Sequence, residues 1–398
     1  MKRANILTLA VLLLTAPGLW AQNNPVAAQL AQVTEGNARF TVLTDRLVRM
    51  EWSPSASFQD NATLAIINRN LPVPKFTVKH GDGAVEIRTK SLTLKYLGNE
   101  KFSADNLSVS FRMGGRTVTW KPGADASGNL MGTARTLDGC AGPEKINYSD
   151  PMEPGLLSRD GWAIVDESRR HLFVADDSDW GAWVAPRPEE DVQDLYIFAY
   201  GHDYKAALAD FTKIAGRIPM PPKYVFGYWW SRYWPYTDDE FLALGREFRQ
   251  RKLPIDVMVI DMDWHETWPD AARRTKDDKG EGLGWTGYTW NQDLIGDPEG
   301  FLNEVHGMHL KTSLNLHPAV GIIPREKVYP AFVKDYLSRT NDYDGPEGFI
   351  YKGGEPLWNG PAKPGYHATV PYRMDQRAWA DAYFNSVIHP IEAQGVDF

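Results

Sequence analysis

Leu253-Pro-Ile-Asp-Val-Met-Val-Ile-Asp-Met-Asp-Trp-His265 is the stretch whose reading decides the fold. Behind Asp256, residues 257–260 form an unbroken apolar run with no polar alternation, so both faces of the strand they form are expected to be covered. Such a strand belongs to a parallel sheet flanked by helices. The run then gives way to Asp261, Asp263 and His265, three polar groups at the strand's C-terminal end. Closed parallel barrels collect their functional side chains at that end. Spaced by two, the three share one face provided that extended geometry persists past residue 260.

The same rhythm continues on both sides. Residues 225–230 read as a strand, 238–251 as an amphipathic helix, 298–307 as a second helix and 309–317 as the next strand. A long insertion follows, then a helix over 376–393, with Asp375 as its N-cap and Arg373 able to reach the strand ends. Ile391-Glu-Ala-Gln-Gly-Val-Asp-Phe398 then leads, through Gly395 at a helix C-terminus, into an apolar run that reads as the opening of a further strand. That makes roughly three and a half strand–helix units, against the eight of a closed barrel. The chain is therefore expected to stop in mid-element, with an open sheet edge that favours aggregation.

Upstream, residues 38–200 alternate apolar and polar at period two, in short runs (40–44, 47–52, 85–89, 92–96) separated by turn formers such as Gly81-Asp-Gly83 and Gly114-Gly115. Residues 163–165 and 172–174 are expected to pair as a hairpin, and 195–200 to close a sandwich. A helix over 203–215 places Ala207, Leu208 and Phe211 on one face, before the stiff linker Arg217-Ile-Pro-Met-Pro-Pro222. The expected fold is a multidomain chain: an N-terminal antiparallel β-sandwich (22–216) followed by an incomplete (β/α)8 TIM barrel (217–398).

The formal net charge of −8 over 398 residues argues against nucleic acid or an anionic membrane as partner. Met1-Lys-Arg3, the apolar residues 6–14 and Ala-Pro-Gly18 have the layout of a secretory signal peptide spanning 1–21, cleaved after Ala21. The apolar stretch is too short to span a bilayer, so no membrane association is expected after cleavage. A bacterial periplasm is the simplest destination. Cys140 is the only cysteine, which excludes an internal disulfide. Nothing in the sequence points to a particular oligomeric state.

Three clusters converge on the strand ends. Asp261, Asp263 and His265 suit hydrogen bonds to sugar hydroxyls, with Trp264 or Trp268 as an apolar platform. The same residues also admit a mixed oxygen and nitrogen metal site, or plain helix capping and pairing with Arg232 or Arg273. Gly227-Tyr-Trp-Trp-Ser-Arg-Tyr-Trp-Pro-Tyr236 carries six aromatics in ten residues; Trp229 and Trp230 suit packing, Tyr233 and Trp234 a pocket. Gly284-Trp-Thr-Gly-Tyr-Thr-Trp-Asn291 adds Trp285 and Trp290, and His317-Pro318 ends the third strand at the same rim. Carboxylates, aromatics and imidazoles on successive strand ends favour a carbohydrate ligand over packed aromatics alone.

Together with Gly155-Leu-Leu-Ser-Arg-Asp-Gly-Trp162, Phe226-Gly-Tyr-Trp-Trp-Ser-Arg232, Leu314-Asn-Leu-His-Pro318 and Gly395-Val-Asp-Phe398, these motifs resemble glycoside hydrolase family 31, the retaining α-glycosidases. The resemblance implies a sandwich before a barrel, an oligosaccharide or glycoside as substrate, and no metal or organic cofactor. It carries onto Asp261 the role of holding a sugar hydroxyl in the subsite where the bond breaks, and onto Trp234, or Tyr233 beside it, an aromatic wall. The nucleophile of that family follows a Gly-Val-Asp-Phe segment by a few residues, and the acid/base aspartate lies further on. Asp261 and Asp263 do not inherit those roles. The implied whole protein hydrolyses terminal α-linked sugars, α-glucosides first, with α-xylosides, α-galactosides and α-N-acetylgalactosaminides as alternatives. The 398-residue chain is expected to be inactive. A non-catalytic sugar-binding relic is the rival reading.

Overall fold

The computed structural model describes residues 23–81, 83–132, 152–176, 180–188, 190–266, 286–318, 321–323, 326–340, 350–351, 355–356, 370 and 372–398. The signal segment, Cys140, Trp268, Arg273 and Trp285 lie outside the described residues. The chain divides into two compact units, Met1–Pro219 and Met220–Phe398.

The first unit is built from β1 (Gln32–Glu35), β2 (Ala38–Val42), β3 (Leu47–Trp52), β4 (Ala62–Thr63), β5 (Thr77–Gly81), β6 (Ala84–Arg88), β7 (Leu92–Leu97), β8 (Leu107–Met113), β9 (Arg116–Trp120), β10 (Ala163–Asp166), β11 (Leu172–Ala175), β12 (Ala182–Ala185) and β13 (Gln193–Phe198). One antiparallel sheet runs β1-β2-β3-β13-β10, and a second is the meander β5-β6-β7-β8-β9. Period-two geometry sorts the first sheet's side chains. Phe40, Met50 and Leu195 stand in register on one face and share a core with Ile87, Leu94 and Tyr96 of the meander. Arg39, Glu51 and Asp194 stand in register on the opposite face, buried as charges.

The expected hairpin of 163–165 with 172–174 does not form. β10 pairs with β13, whereas β11 joins a separate sheet, β12-β11-β4. The turn between them is tied sideways, Glu167 N–H donating to the Asp194 carbonyl at 2.8 Å, so the chain leaves one sheet for the other. Helix α1 (Tyr204–Ala215) begins at Asp203, whose carboxylate accepts the Ala206 N–H. Its inward stripe is Ala207, Phe211 and Ile214, the i, i+4, i+7 set; Leu208, expected on that face, is 46% exposed.

The second unit is a parallel sheet with helical crossovers. β14 (Trp229–Trp230), β15 (Val257–Ile260) and β16 (Lys311–Leu314) lie in that order, Trp229 opposite Val257 and Val257 opposite Lys311. α2 (Asp238–Gln250) opens with a reciprocal capping box between Thr237 and Glu240. α3 (Pro298–Gly307) is capped by Asp297. α4 (Tyr329–Arg339) stands in the region read as an insertion, ahead of the short pair β17 (Ile350–Tyr351) and β18 (Glu355–Pro356). α5 (Arg377–Tyr383) passes through a π turn, Phe384–Ile388, into α6 (His389–Glu392). Met258 and Ile260 pack with Phe241, Leu242, Phe301 and Leu302 of the helices.

Three local expectations are corrected. Residues 225–230 are a 3-10 turn, Lys223–Phe226, followed by only two strand residues, because Pro222 starts the turn. Asp375 does not cap α5. Its carboxylate is taken at 3.0 Å by the guanidinium of Arg373, which therefore stays local. Past Gly395 (φ +113), residues 396–398 lie beside β16 without a regular ladder: Leu314 N–H donates to the Phe398 carbonyl at 3.1 Å. Asp397 accepts from Thr312 N–H (2.9 Å), Lys311 Nζ (2.6 Å) and His306 Nε2 (2.8 Å). Burial alone would raise its pKa, but these hydrogen bonds outweigh burial and hold it below the usual carboxylate range. Among the described residues no helix is long and apolar enough to cross a membrane.

Candidate ligand-binding site at the strand ends

Ile260 and Leu314 are the last paired residues of β15 and β16, and both turn toward the helices. The next residues, Asp261 and Asn315, therefore fall on the opposite face, the one that a barrel encloses. The Asn315 N–H donates to the Ile260 carbonyl at 3.1 Å, which keeps the two strand ends level. Asp261 Oδ1 accepts twice, from its neighbour Met262 N–H at 2.8 Å and from Asn315 Nδ2 at 2.7 Å. Among the described residues Asp261 Oδ2 and Asn315 Oδ1 have no protein partner, and neither is a buried orphan. Two acceptors are thus left open side by side.

Strand geometry ends at Asp261. Its side chain caps a 3-10 turn, Met262–Trp264, so the spacing by two no longer sets a common face. Asp263 is half-buried. Trp264, expected as a ligand platform, is 1% exposed, with Nε1 donating to the Asn315 carbonyl at 2.9 Å. His265 is 0% exposed and Trp290 8% exposed, so these two expected ligand contacts are core as well. The cause is the loop that returns over them: Asn291 N–H donates to the Trp264 carbonyl (2.7 Å) and Glu266 N–H to the Thr289 carbonyl (2.8 Å). The Trp264 and Trp290 rings meet edge to face at 4.9 Å, and Trp290 Nε1 donates to Gln394 Oε1 at 2.7 Å. Gly287 permits this closure, since a Cβ there would stand 2.4 Å from His265 Nδ1. Among the described residues no three His, Cys, Asp or Glu side chains gather as a metal site would need.

The loop after β14 behaves differently. Tyr233 is 64% and Trp234 51% exposed, and the Arg232 guanidinium lies 5.3 Å over the Trp234 ring. Trp230 packs on Tyr236 and Phe241, and Trp229 on Phe398. His317 is half-buried, its carbonyl accepting from Thr286 Oγ1. Asn315 is the site residue that the sequence reading missed. The period-two phase of Lys311 and Ser313 places it on the face of Asp261, but only the strand register shows the two to be level.

The first unit has a small cleft of its own, lined by Glu51, Arg187, Glu190 and Asp194 among others. Every one of those charges is engaged. Asp194 takes Arg49 on both oxygens (2.8 Å each) and Arg187 at 2.7 Å, Arg39 forks onto Glu51, and Ser55 donates to Glu190. The guanidinium and carboxylate groups that line the cleft mostly serve the first unit's own ion pairs, whereas Asp261 presents its acceptor at the C-terminal ends of parallel strands, where such sheets gather functional groups.

Residues 218–397 match the profile of the Glycosyl hydrolases family 31 TIM-barrel domain. That stretch carries the family 31 domain. It is similar to an α-xylosidase of Saccharolobus solfataricus, 24% identical over 260 residues that span 64% of this chain and 33% of the relative. An uncharacterised family 31 glucosidase of Pseudescherichia vulneris is 26% identical over 309 residues, 71% of this chain and 54% of that one. A family 31 dextranase of Flavobacterium johnsoniae, solved with glucose, superposes with a TM-score of 0.55 at 17% identity, over 90% of this chain and 44% of its own. That likeness establishes the fold. The chain spans between a third and about half the length of those relatives.

Proposed function

We propose that the chain is the substrate-holding part of a retaining α-glycosidase that acts on terminal α-linked glucose or xylose. In this reading the first unit is a β-sandwich and the second an incomplete (β/α)8 barrel. The observation that carries it is the open Oδ2 of Asp261 at the strand ends, an acceptor held ready for a sugar hydroxyl. Support comes from the relatives' names, α-xylosidase and glucosidase, and from the glucose bound in the dextranase structure. Asp263, His317, Tyr233 and Trp234 complete the rim, with Trp234 as the aromatic wall. The Met1–Ala21 segment supports export to a periplasm.

The 398-residue chain binds without cleaving. A retaining mechanism needs two carboxyl groups about 5 Å apart across the scissile bond. Asp261 is instead tied through Oδ1 to the neighbouring strand, and Asp263 sits on the 3-10 turn, as befits groups that hold the sugar. Titrating the chain with methyl α-D-glucopyranoside and methyl α-D-xylopyranoside is expected to show saturable binding. p-Nitrophenyl α-glucoside and α-xyloside are expected to release no nitrophenolate above a buffer blank. Absence of binding to either glycoside overturns the sugar reading; release of nitrophenolate overturns the binding-only reading.

A further inference from the structure

We infer that Asn315 is a specificity-determining residue that, with Asp261, forms a two-acceptor clamp for a vicinal diol; this rests on the sugar-site reading above. The orientation of its amide is fixed by chemistry. An ionised carboxylate only accepts, so the amide must present Nδ2 to Asp261 Oδ1 at 2.7 Å, which leaves the carbonyl Oδ1 facing away from that bond. The same hydrogen bond occupies one carboxylate oxygen and frees the other. Asn315 therefore acts twice: it sets the direction of Asp261 Oδ2, and it supplies an open acceptor of its own.

The two side chains project from neighbouring parallel strands, whose backbones stand about 4.8 Å apart. Level registration, Ile260 opposite Leu314, sets the two residues that carry the open oxygens opposite each other. Two acceptors so placed match two hydroxyl donors on adjacent ring carbons. They repel a phosphate or uronate, which would present further acceptors. Trp264 fixes the Asn315 backbone from below, its Nε1 donating to the Asn315 carbonyl at 2.9 Å, so the clamp rests on a buried aromatic.

The test is calorimetric titration of the whole chain with methyl α-D-glucopyranoside and its 2-, 3- and 4-deoxy analogues, for the wild type, Asn315→Leu and Asn315→Asp. Losing one hydrogen bond in Asn315→Leu is expected to weaken the parent glucoside about tenfold. For one monodeoxy analogue the same substitution is expected to make no further difference, because the partnered hydroxyl is already gone. Asn315→Asp keeps an acceptor but brings two carboxyl groups together, so one holds a proton more firmly. Its binding is expected to strengthen as pH falls from 8 to 5, and to do so more than the wild type's. An equal loss across the deoxy series, no loss, or no added pH dependence overturns the clamp while the sugar site stands. If Asn315→Leu fails to fold, the Asn315→Asp pH profile decides alone. A wild-type chain that binds none of the glycosides overturns the sugar site and the clamp with it.

Discussion

The charged ladder of the first unit and the Asp261–Asn315 pair of the second use the same ingredients to opposite ends. On the first sheet, Arg39, Arg49, Arg187, Glu51 and Asp194 sit in the interior, and each carboxylate oxygen has a guanidinium on it. At the strand ends of the second, Asp261 is satisfied on one oxygen and left open on the other. A closed network holds its surroundings in place and has nothing to offer a ligand. A half-closed one is held just as firmly and keeps one valence for something outside the chain. Satisfaction of hydrogen bonds, rather than the presence of acids, separates scaffold from site.

The largest effect should come from breaking the closed network. Asp194→Ala leaves the Arg49 guanidinium buried without its main counter-ion, and losing one partner of a buried pair costs about 3–5 kcal/mol. Chemical denaturation of the first unit should register that loss in full. The pH response has a defined sign. Burial alone would raise the Asp194 pKa, and Arg49 foremost drives it well below the usual range. Its stabilisation is present above the unfolded value of about 3.9 and is lost as pH falls through the lower folded value. Wild-type melting should therefore fall in acid, and Asp194→Ala should flatten that fall.

Asp261→Ala should invert the pattern. Removing an acceptor that serves a ligand is expected to weaken glycoside binding by about 10–100-fold, the equivalent of about 1.5–3 kcal/mol for a hydrogen bond to a charged group. Stability should fall by about 1–2 kcal/mol, less than for Asp194→Ala, since the cap on Met262 and the Asn315 contact are lost from a partly exposed group. A melt that drops as far as that of Asp194→Ala would place Asp261 with the scaffold.

Much of the second unit was legible in the sequence. The apolar run before Asp261 became β15, and the amphipathic pattern over 238–251 became α2. What the pattern did not carry was the point where a strand stops. Asp261 looks the same continuing an extended run as it does capping a 3-10 turn, and that difference buried His265. The aromatics misled for a related reason. Trp264 and Trp290 are as suited to a sugar platform as to a core, and only the loop hydrogen bonds at Thr289 and Asn291 decide it. Strand pairing over long sequence separations, such as β10 with β13, is not written in local alternation. Asn315 stayed hidden because its significance lies in the register with Asp261, a relation between two strands.

That loop closure offers a middle-sized test. Gly287→Ala drives a methyl group to 2.4 Å from His265 Nδ1, and forcing extra volume into a packed site costs about 1–3 kcal/mol. Destabilisation of the second unit alone should follow, with glycoside binding weakened by no more than the loss of folded protein. A selective loss of binding would mean that the loop itself touches the ligand.

The smallest expected effect refines the comparison from inside the first unit. Glu167 is buried beside the closed network, but its Oε2 is left without a hydrogen-bond partner. Burial raises its pKa, a contact with Thr63 works against this, and Asp194 adds to the rise. A folded value above the unfolded one means that the ionised form resists burial. Its contribution is then fully favourable below the unfolded value of about 4.3, and is lost as pH rises through the folded value. Glu167→Gln removes the charge and keeps the shape. It should raise the melting temperature at pH 7, with the gain shrinking toward zero as pH approaches 4. If the gain were the same at both pH values, the carboxylate would not be strained, and an unpaired oxygen in a scaffold could not be told from an open oxygen in a site by energy alone.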